Sequence, residues 1–168
     1  MGSAVMNSRK SKIENRKSAR GTTLYEVVIV VLIMGITSAV VLPRFAGSLG
    51  NRRAEAAAKT LAADLNGARR QARMTGQSTS IAFSLPNNNY TITGVTNLDR
   101  HASTTRVVSL INGTLKATLS AVKMANGGAT VSFSGYGVAS TGGTITITSG
   151  TNTKQVRIDA ATGLATVL

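Results

Sequence analysis

The chain has 168 residues, no cysteine, no tryptophan, three Phe, three Tyr and a formal net charge of +13. Without cysteine it can have neither a disulfide framework nor a thiolate metal site, and its length allows one domain of ordinary size. The scarcity of aromatic residues predicts a core built from Ala, Val, Ile and Leu.

The N-terminal stretch, residues 1–21, is strongly basic. It holds six of the 19 Lys and Arg residues and one acid, Glu14, so the rest of the chain keeps a formal charge of +8. A strongly basic chain suggests nucleic acid or anionic lipid as a partner. The first 21 residues account for only part of that charge, and the remainder needs its own explanation.

An apolar segment follows the basic stretch. Residues 27–42 are 16 residues without a charge, and the segment reaches 19 residues if it is counted from Leu24. A helix of 19 residues rises about 28 Å, close to the hydrocarbon thickness of a bilayer, so the sequence predicts a membrane-spanning helix. Because the basic cluster precedes it and only Arg44 lies just beyond, the positive-inside rule predicts that residues 1–21 are cytoplasmic.

A conventional secretory signal is the alternative for this segment. It would combine a basic start, an apolar core and small residues such as Ala46 and Ser48 near a cut. Its apolar core is normally about 7–15 residues long and free of acid, which the length and Glu26 argue against. A carboxylate at the edge of an apolar span is costly and usually has a partner, so Glu26 is a candidate functional residue.

The motif RGTTLYE at residues 20–26, followed by the apolar run, resembles the class III signal of type IV prepilins and pseudopilins. The resemblance implies cleavage between Gly21 and Thr22 by a membrane prepilin peptidase and N-methylation of Thr22. Glu26 would then be the fifth residue of the mature chain, where that family has its assembly glutamate. The resemblance also implies a long N-terminal helix that carries a globular domain.

Gly35 and Pro43 fall where that family often has a helix-loosening glycine and a proline. Each also has a simpler explanation, since a glycine permits close helix packing and a proline kinks a helix. Two residues depart from the family pattern: Thr22 replaces the usual Phe or Met, and Tyr25 replaces an aliphatic residue. Cleavage should tolerate both departures, whereas methylation depends on the identity of the first mature residue.

Residues 51–75 have helical periodicity, with Gly76 as the stop signal. Glu55 and Lys59 form a favourable i,i+4 pair. We expect this helix to continue the membrane helix, with an interruption or bend between residues 43 and 50. Its apolar stripe consists of Ala54, Ala58, Leu61, Leu65, Ala68 and Ala72.

The sequence from residue 61 to residue 83 also resembles the H-type minor pseudopilins. This second resemblance continues in the C-terminal half, where residues 131–133 lead to Gly135 and Gly137, and residues 156–158 lead to Gly163. It implies a role in type II secretion or in a related pilus.

Three arginines, Arg69, Arg70 and Arg73, lie near the end of the predicted helix. Charge runs are usually a solvated face, here one that could lie near acidic lipid headgroups. The other interpretation is contact with a protein partner or with DNA.

Beyond Gly76 the composition shifts to Thr, Ser, Gly and Val in short alternating runs, which predicts strands joined by tight turns. Asn112-Gly113 is a hairpin signal, and residues 126–128 and Thr162-Gly163 serve similarly. The fold class is therefore α+β, a long N-terminal helix packed on an antiparallel β-sheet or small β-sandwich. The predicted strands are residues 78–83, 90–93, 106–111, 115–122, 130–133, 144–148, 155–159 and 164–167.

Nothing in the sequence has the pattern of an enzyme or a metal site. His101 stands in a polar stretch with Asp99 two residues earlier, without a positioned nucleophile or cleft. The few acids beyond the apolar segment are scattered, while calcium needs several converging oxygen ligands. We expect no catalysis, no cofactor and no metal.

DNA binding is the rival function, because the chain beyond the apolar segment is basic. Residues 163–168 hold no basic residue, and the aromatic residues are too few for a stacking platform. The sequence therefore favours a structural subunit over a DNA-binding minor pilin of a DNA-uptake pilus.

The predicted organisation has four parts. Residues 1–21 are a cleaved leader, 22–43 a transmembrane helix, 44–76 its amphipathic continuation and 77–168 a β-rich domain. The resemblance implies a minor pilin or pseudopilin in the bacterial inner membrane, with its C-terminal domain in the periplasm. Its partners would be other pilin or pseudopilin subunits, prepilin peptidase and the inner-membrane assembly platform.

Overall fold

A computed structural model describes residues 23–95 and 104–168, without the side chains of residues 40–46. Contacts divide the chain into two units, Met1–Val40 and Val41–Leu168. One helix precedes a series of strands. The helix is α1 (Leu24–Thr75), and the strands are β1 (Thr79–Ser84), β2 (Asn89–Thr93), β3 (Thr105–Ser109), β4 (Thr118–Met124), β5 (Thr130–Phe133), β6 (Gly143–Ser149), β7 (Asn152–Ile158) and β8 (Ala165–Val167).

Helix α1 confirms the predicted amphipathic segment and its end. All six residues of the predicted stripe are buried, and Ala57 and Ala62 join them. The helix ends at Thr75, and Gly76 follows with φ of +67°, the left-handed conformation that glycine adopts after a helix. The helix runs without a break from Leu24 to Thr75, so an interruption between residues 43 and 50 is wrong, whereas the predicted alternative of a bend there stays a prediction.

The strands form two antiparallel sheets, which confirms the α+β class. The first sheet has the order β3-β2-β1-β5, and the second has the order β4-β6-β7-β8. Each predicted strand corresponds to an observed one: β5 has the predicted ends, and the ends of the others lie within three residues of the prediction. Alternation of buried and exposed residues, as along β1 and β7, is what made the strands recognisable.

Two of the three predicted hairpins are wrong. The Asn112-Gly113 turn separates β3 from β4, which lie in different sheets, and residues 126–128 likewise separate β4 from β5. Only the turn with Thr162-Gly163 closes a hairpin, in which β7 pairs with β8. A turn signal predicts that the chain reverses, but it does not determine which strand becomes the hydrogen-bonded partner.

The core lies between the second half of α1 and both sheets. The helix contributes Ala and Leu, as the composition predicted, while the first sheet contributes larger side chains. Phe83 and Tyr90 are directly opposite each other in the β1–β2 register, with ring centroids 6.2 Å apart. Asn88 connects the sheets, since its backbone oxygen accepts from Leu110 N and its Oδ1 accepts from Leu119 N at 3.0 Å.

Candidate functional site

Helix α1 begins with a capped first turn that includes Glu26. The backbone N–H of Glu26 donates to Thr23 O at 3.0 Å and to Thr23 Oγ1 at 3.3 Å. Thr23 is thus the N-cap and Glu26 is the third residue of the helix. A carboxylate in the first turn is also stabilised by the helix dipole. Among residues 23–95 and 104–168 no basic group forms an ion pair with Glu26.

The first part of α1 exposes a continuous set of large apolar side chains. An isolated soluble subunit would lose about 1.5–3 kcal/mol for each such side chain left in water rather than buried, so a surface of this kind marks an interaction site. No stretch of the described helix meets the length and hydropathy of a membrane span. The exposed residues are Leu24, Tyr25, Val27, Val28, Val30, Val31, Leu32, Ile33, Met34 and Ile36.

The other predicted N-terminal site residues are only partly within the described structure. Gly21 and Thr22, the predicted cleavage and methylation site, lie outside the described residues, as does His101. Gly35 lies in α1, and a Cβ added there would meet nothing within 4 Å. Pro43 falls within the span of α1, but its side chain is not described.

The second part of α1 is attached to the first sheet through Asp64. Tyr90 OH donates to Asp64 Oδ2 at 2.6 Å, and Arg106 Nη1 lies 3.3 Å from Asp64 Oδ1. Burial, followed by the hydrogen bond to Asp64, raises the pKa of Tyr90 above its ordinary range. One carboxylate on the helix therefore holds both β2 and β3.

The opposite border of the helix stripe is attached to the second sheet. Asn66 Nδ2 donates to Ala165 O at 2.9 Å, while Asn66 Oδ1 accepts from Ala165 N at 3.1 Å. Further towards the N-terminus of the helix, Gly47 O accepts a hydrogen bond from Asn152 Nδ2 at 3.1 Å. These polar contacts fix the second half of α1 against β8 and the β6–β7 turn.

The three predicted arginines do not form one uniform basic face. Arg69 is half-buried, and its Nε donates to Gly137 O at 3.2 Å. Arg73 is exposed, but its Cγ and Cδ lie against Gly137, where an added Cβ would be 2.5 Å from Arg73 Cδ. Arg70 is exposed. Arg69 thus has a structural role, and Arg70 and Arg73 remain available to a partner.

Sequence reasoning missed Thr23, Asp64 and Asn66 as structural residues. Thr23 could have been found from its spacing to Glu26, since Thr-x-x-Glu before an apolar run is the capping-box signature. Asp64 and Asn66 flank Leu65 in the sequence and fall on opposite borders of the buried stripe. Their sheet partners, up to 99 residues away, leave no local signal in a single sequence.

A helix with an exposed apolar first part and a second part packed on antiparallel sheets defines the class, a pilin-like subunit. Residues 57–162 match the family described as type II transport protein GspH, the minor pseudopilins of type II secretion. The match extends over more than half of the chain, and the chain therefore belongs to the GspH family. The resemblance to the H-type minor pseudopilins is confirmed, and the prepilin signal at residues 20–26 stays a prediction because it lies outside the match.

Among solved structures, the chain is similar to the type IV minor pilin FimU of Pseudomonas aeruginosa strain PAO1. One crystal form has 20% sequence identity, covers 70% of this chain and 87% of FimU, and has a TM-score of 0.49. A second crystal form has 21% identity, covers 68% of this chain and 91% of FimU, and has the same TM-score of 0.49. No curated protein sequence matches the chain.

Proposed function

We propose that this chain is a structural minor pseudopilin or minor pilin of a periplasmic type IV pilus-like filament, acting in type II secretion or pilus biogenesis. It is made as a precursor, cleaved between Gly21 and Thr22, and methylated at Thr22. The first part of α1 holds the subunit in the inner membrane until the assembly platform extracts it. In the filament the same surface packs against neighbouring subunits.

The exposed apolar surface of residues 24–36 is the observation that carries this proposal. The side chains of this segment are open to solvent all round the helix, and between Glu26 and residue 42 the sequence contains no charge. A helix that is apolar on every side is stable in lipid or within a bundle of other helices. The membrane before assembly and the filament after it supply these two environments in turn.

Glu26 carries the specific chemistry of assembly in this proposal. Cleavage after Gly21 leaves a new ammonium at Thr22, four residues before the carboxylate. Inside an apolar bundle each charge is costly alone, so an ammonium and a carboxylate of neighbouring subunits favour pairing. Such a head-to-tail contact does not close on itself, and repetition of it produces a filament.

Mass spectrometry of the N-terminus tests the processing step. The membrane form of the wild type should begin at Thr22, with or without one methyl group, and a Gly21→Leu precursor should accumulate uncut. Gly35→Leu is the matched control, because it makes the same substitution beyond the cut and should leave cleavage intact. A wild-type chain that retains residues 1–21, or that begins near Leu49, would overturn the prepilin interpretation.

DNA binding is less well supported than assembly. Arg69 is engaged with Gly137, which leaves Arg70 and Arg73 as the accessible charges at this end of the helix. Two phosphate contacts contribute little affinity at physiological salt. We expect the full chain in detergent to bind duplex DNA weakly and to release it as the salt approaches about 150 mM, measured by fluorescence anisotropy.

A further inference from the structure

The C-terminal end of α1 and the loop after β5 together form an exposed surface of mixed character. Tyr136 is 88% exposed, Met74 81% and Val138 46%, and they accompany the exposed side chains of Arg70 and Arg73. We name these five residues the Tyr136 patch. Arg70, Arg73 and Met74 line an open cleft of about 330 Å³. The assembly surface of residues 24–36 does not include any of them.

Backbone contacts hold the Tyr136 patch in place. The loop is closed by hydrogen bonds from Gly137 N to Ser134 O at 2.7 Å and from Ser134 N to Val138 O at 2.9 Å. It rests on the helix through Arg69, whose Nε donates to Gly137 O. Gly135 lies so close to Gly76 that an added Cβ would be 2.5 Å from Gly76 O. A loop already ordered before binding loses less conformational entropy when a partner docks.

The composition of the patch is that of a protein interface. Tyr, Met and Arg are enriched in interfaces, and Tyr and Arg dominate the residues that contribute most binding energy. An exposed aromatic and an exposed thioether on a fixed surface indicate an apolar contact, which DNA phosphates would not supply. The two arginines indicate carboxylates on the partner, since Arg binds carboxylates bidentately.

The charges of the described part of the folded domain disfavour a second copy as the occupant of the patch. In the domain that follows the exposed segment, every described acid is already engaged. Asp64 is bonded to Tyr90 and Arg106, Glu55 pairs with Lys59 at 2.7 Å, and Asp159 accepts from two backbone N–H groups. Among the described residues of this domain, a second copy therefore has no unengaged carboxylate to offer to Arg70 and Arg73.

We infer that the Tyr136 patch docks a different subunit of the same filament, one that presents carboxylates to Arg70 and Arg73 around an apolar site for Tyr136 and Met74. The inference rests on the proposed function, because it assumes that the chain enters a filament. It goes beyond that function by giving this subunit a heterotypic neighbour of defined chemistry at its folded domain.

Photocrosslinking in cells that assemble the native filament tests the inference. The full-length chain would carry p-benzoylphenylalanine in place of Tyr136, and mass spectrometry would identify the crosslinked residue. We expect a crosslink to another pilin-like subunit, at a segment that contains Asp or Glu. Arg70→Glu should reduce its yield about tenfold or more, as expected when a like charge replaces an interfacial ion pair. Replacing the partner's carboxylate by Lys should restore it.

Two controls separate the possible failures. Arg52→Glu makes the same charge change at an exposed position of the same helix and should leave the yield unchanged. The crosslinker in place of Ile33 reports filament packing alone, so a crosslink at Ile33 without one at Tyr136 overturns the docking inference and keeps the proposed function. Loss of both overturns the proposed function itself.

Other crosslinked products from Tyr136 would also overturn the inference. A product with a second copy of this chain would mean that the patch is a homotypic contact. A nuclease-sensitive product would mean that the patch binds nucleic acid. A crosslink to another subunit that Arg70→Glu does not weaken would show that the charges do not select the partner.

Discussion

The two parts of helix α1 both carry apolar side chains but make opposite use of them. In residues 24–36 the apolar side chains are exposed, whereas between residues 54 and 72 a stripe of Ala and Leu is buried against the two sheets. The difference lies in how the polar residues are placed. The second part has polar residues on the borders and back of its stripe, while residues 27–36 have none. A one-sided stripe specifies packing within the chain, and an all-round apolar surface requires surroundings that the chain does not supply.

Truncation of one apolar side chain in each part should separate these roles most strongly. Leu65→Ala removes a fully buried side chain and should lower the free energy of unfolding by about 2–5 kcal/mol. Ile33→Ala removes a side chain that is 53% exposed and should change it by less than about 0.5 kcal/mol. Chemical denaturation of the full chain in detergent, followed by circular dichroism, measures both. Equal losses would contradict the contrast between the two parts.

The contact between the second part of helix α1 and the first sheet should weaken at alkaline pH. Because burial and the hydrogen bond to Asp64 raise the pKa of Tyr90, the folded state holds the phenolic proton more tightly than the unfolded state does. The stabilisation is therefore complete below the unfolded pKa of about 10 and declines above it by about 1.4 kcal/mol per pH unit.

Tyr90→Phe should cost about 1–3 kcal/mol at neutral pH, because it leaves Asp64 without its hydroxyl donor. It should also remove most of the decline in stability above pH 10, measured by denaturation at a series of pH values. Tyr136→Phe is the control, since that side chain is almost fully exposed. If the wild type and Tyr90→Phe lost stability in parallel above pH 10, the Tyr90–Asp64 contact would not be the cause of the alkaline loss of stability.

Replacing two glycines of α1 by alanine should change the stability of the fold in opposite directions and by smaller amounts. Gly50→Ala would place a methyl group 2.7 Å from Asn152 Nδ2 and 3.0 Å from Ser149 O, and it should destabilise the fold by about 1–3 kcal/mol. Gly35→Ala meets no neighbour and should stabilise the helix by about 0.5–1 kcal/mol. Thermal unfolding in detergent measures the change in melting temperature of each variant, which should fall for Gly50→Ala and rise for Gly35→Ala. If Gly35→Ala raised the melting temperature yet reduced filament incorporation, close packing between subunits at Gly35 would explain both results.

The features that could be predicted from the sequence are those set by residues only a few positions apart. The stripe from Ala54 to Ala72, the stop at Gly76 and the pair of Glu55 with Lys59 all depend on spacings of a few residues. The partner of each strand was less predictable. Strand β4 pairs with β6 rather than with β3 across the Asn112-Gly113 turn, and Leu119 is linked to the first sheet by Asn88, 31 residues away.

In the candidate site too, the features set by neighbouring residues were predictable and those set by distant contacts were not. Glu26 and the exposed segment follow from the order of charged and apolar residues alone. The separate roles of the three arginines do not, because Arg69 meets Gly137 across 68 residues of sequence. The exposure of Tyr136 depends on a loop that the sequence marks only by its glycines at positions 135 and 137.

In the proposed function, Glu26 acts in assembly rather than in folding or insertion. Glu26→Ala removes a charge from the edge of the apolar segment, so membrane insertion and cleavage after Gly21 should continue. In the bundle it leaves a neighbour's terminal ammonium unpaired, at a cost of roughly 3–5 kcal/mol by analogy with other broken buried pairs.

Quantitative immunoblotting of the sheared filament fraction against the membrane fraction measures this directly. Glu26→Ala should reduce incorporation more than about tenfold, and Glu26→Asp should retain part of it because the charge is kept at a shorter reach. Glu55→Ala, which removes an exposed carboxylate of the same helix that pairs with Lys59, should incorporate normally. Entry of the Glu26→Ala subunit into filaments at the wild-type level would show that Glu26 is not needed for assembly.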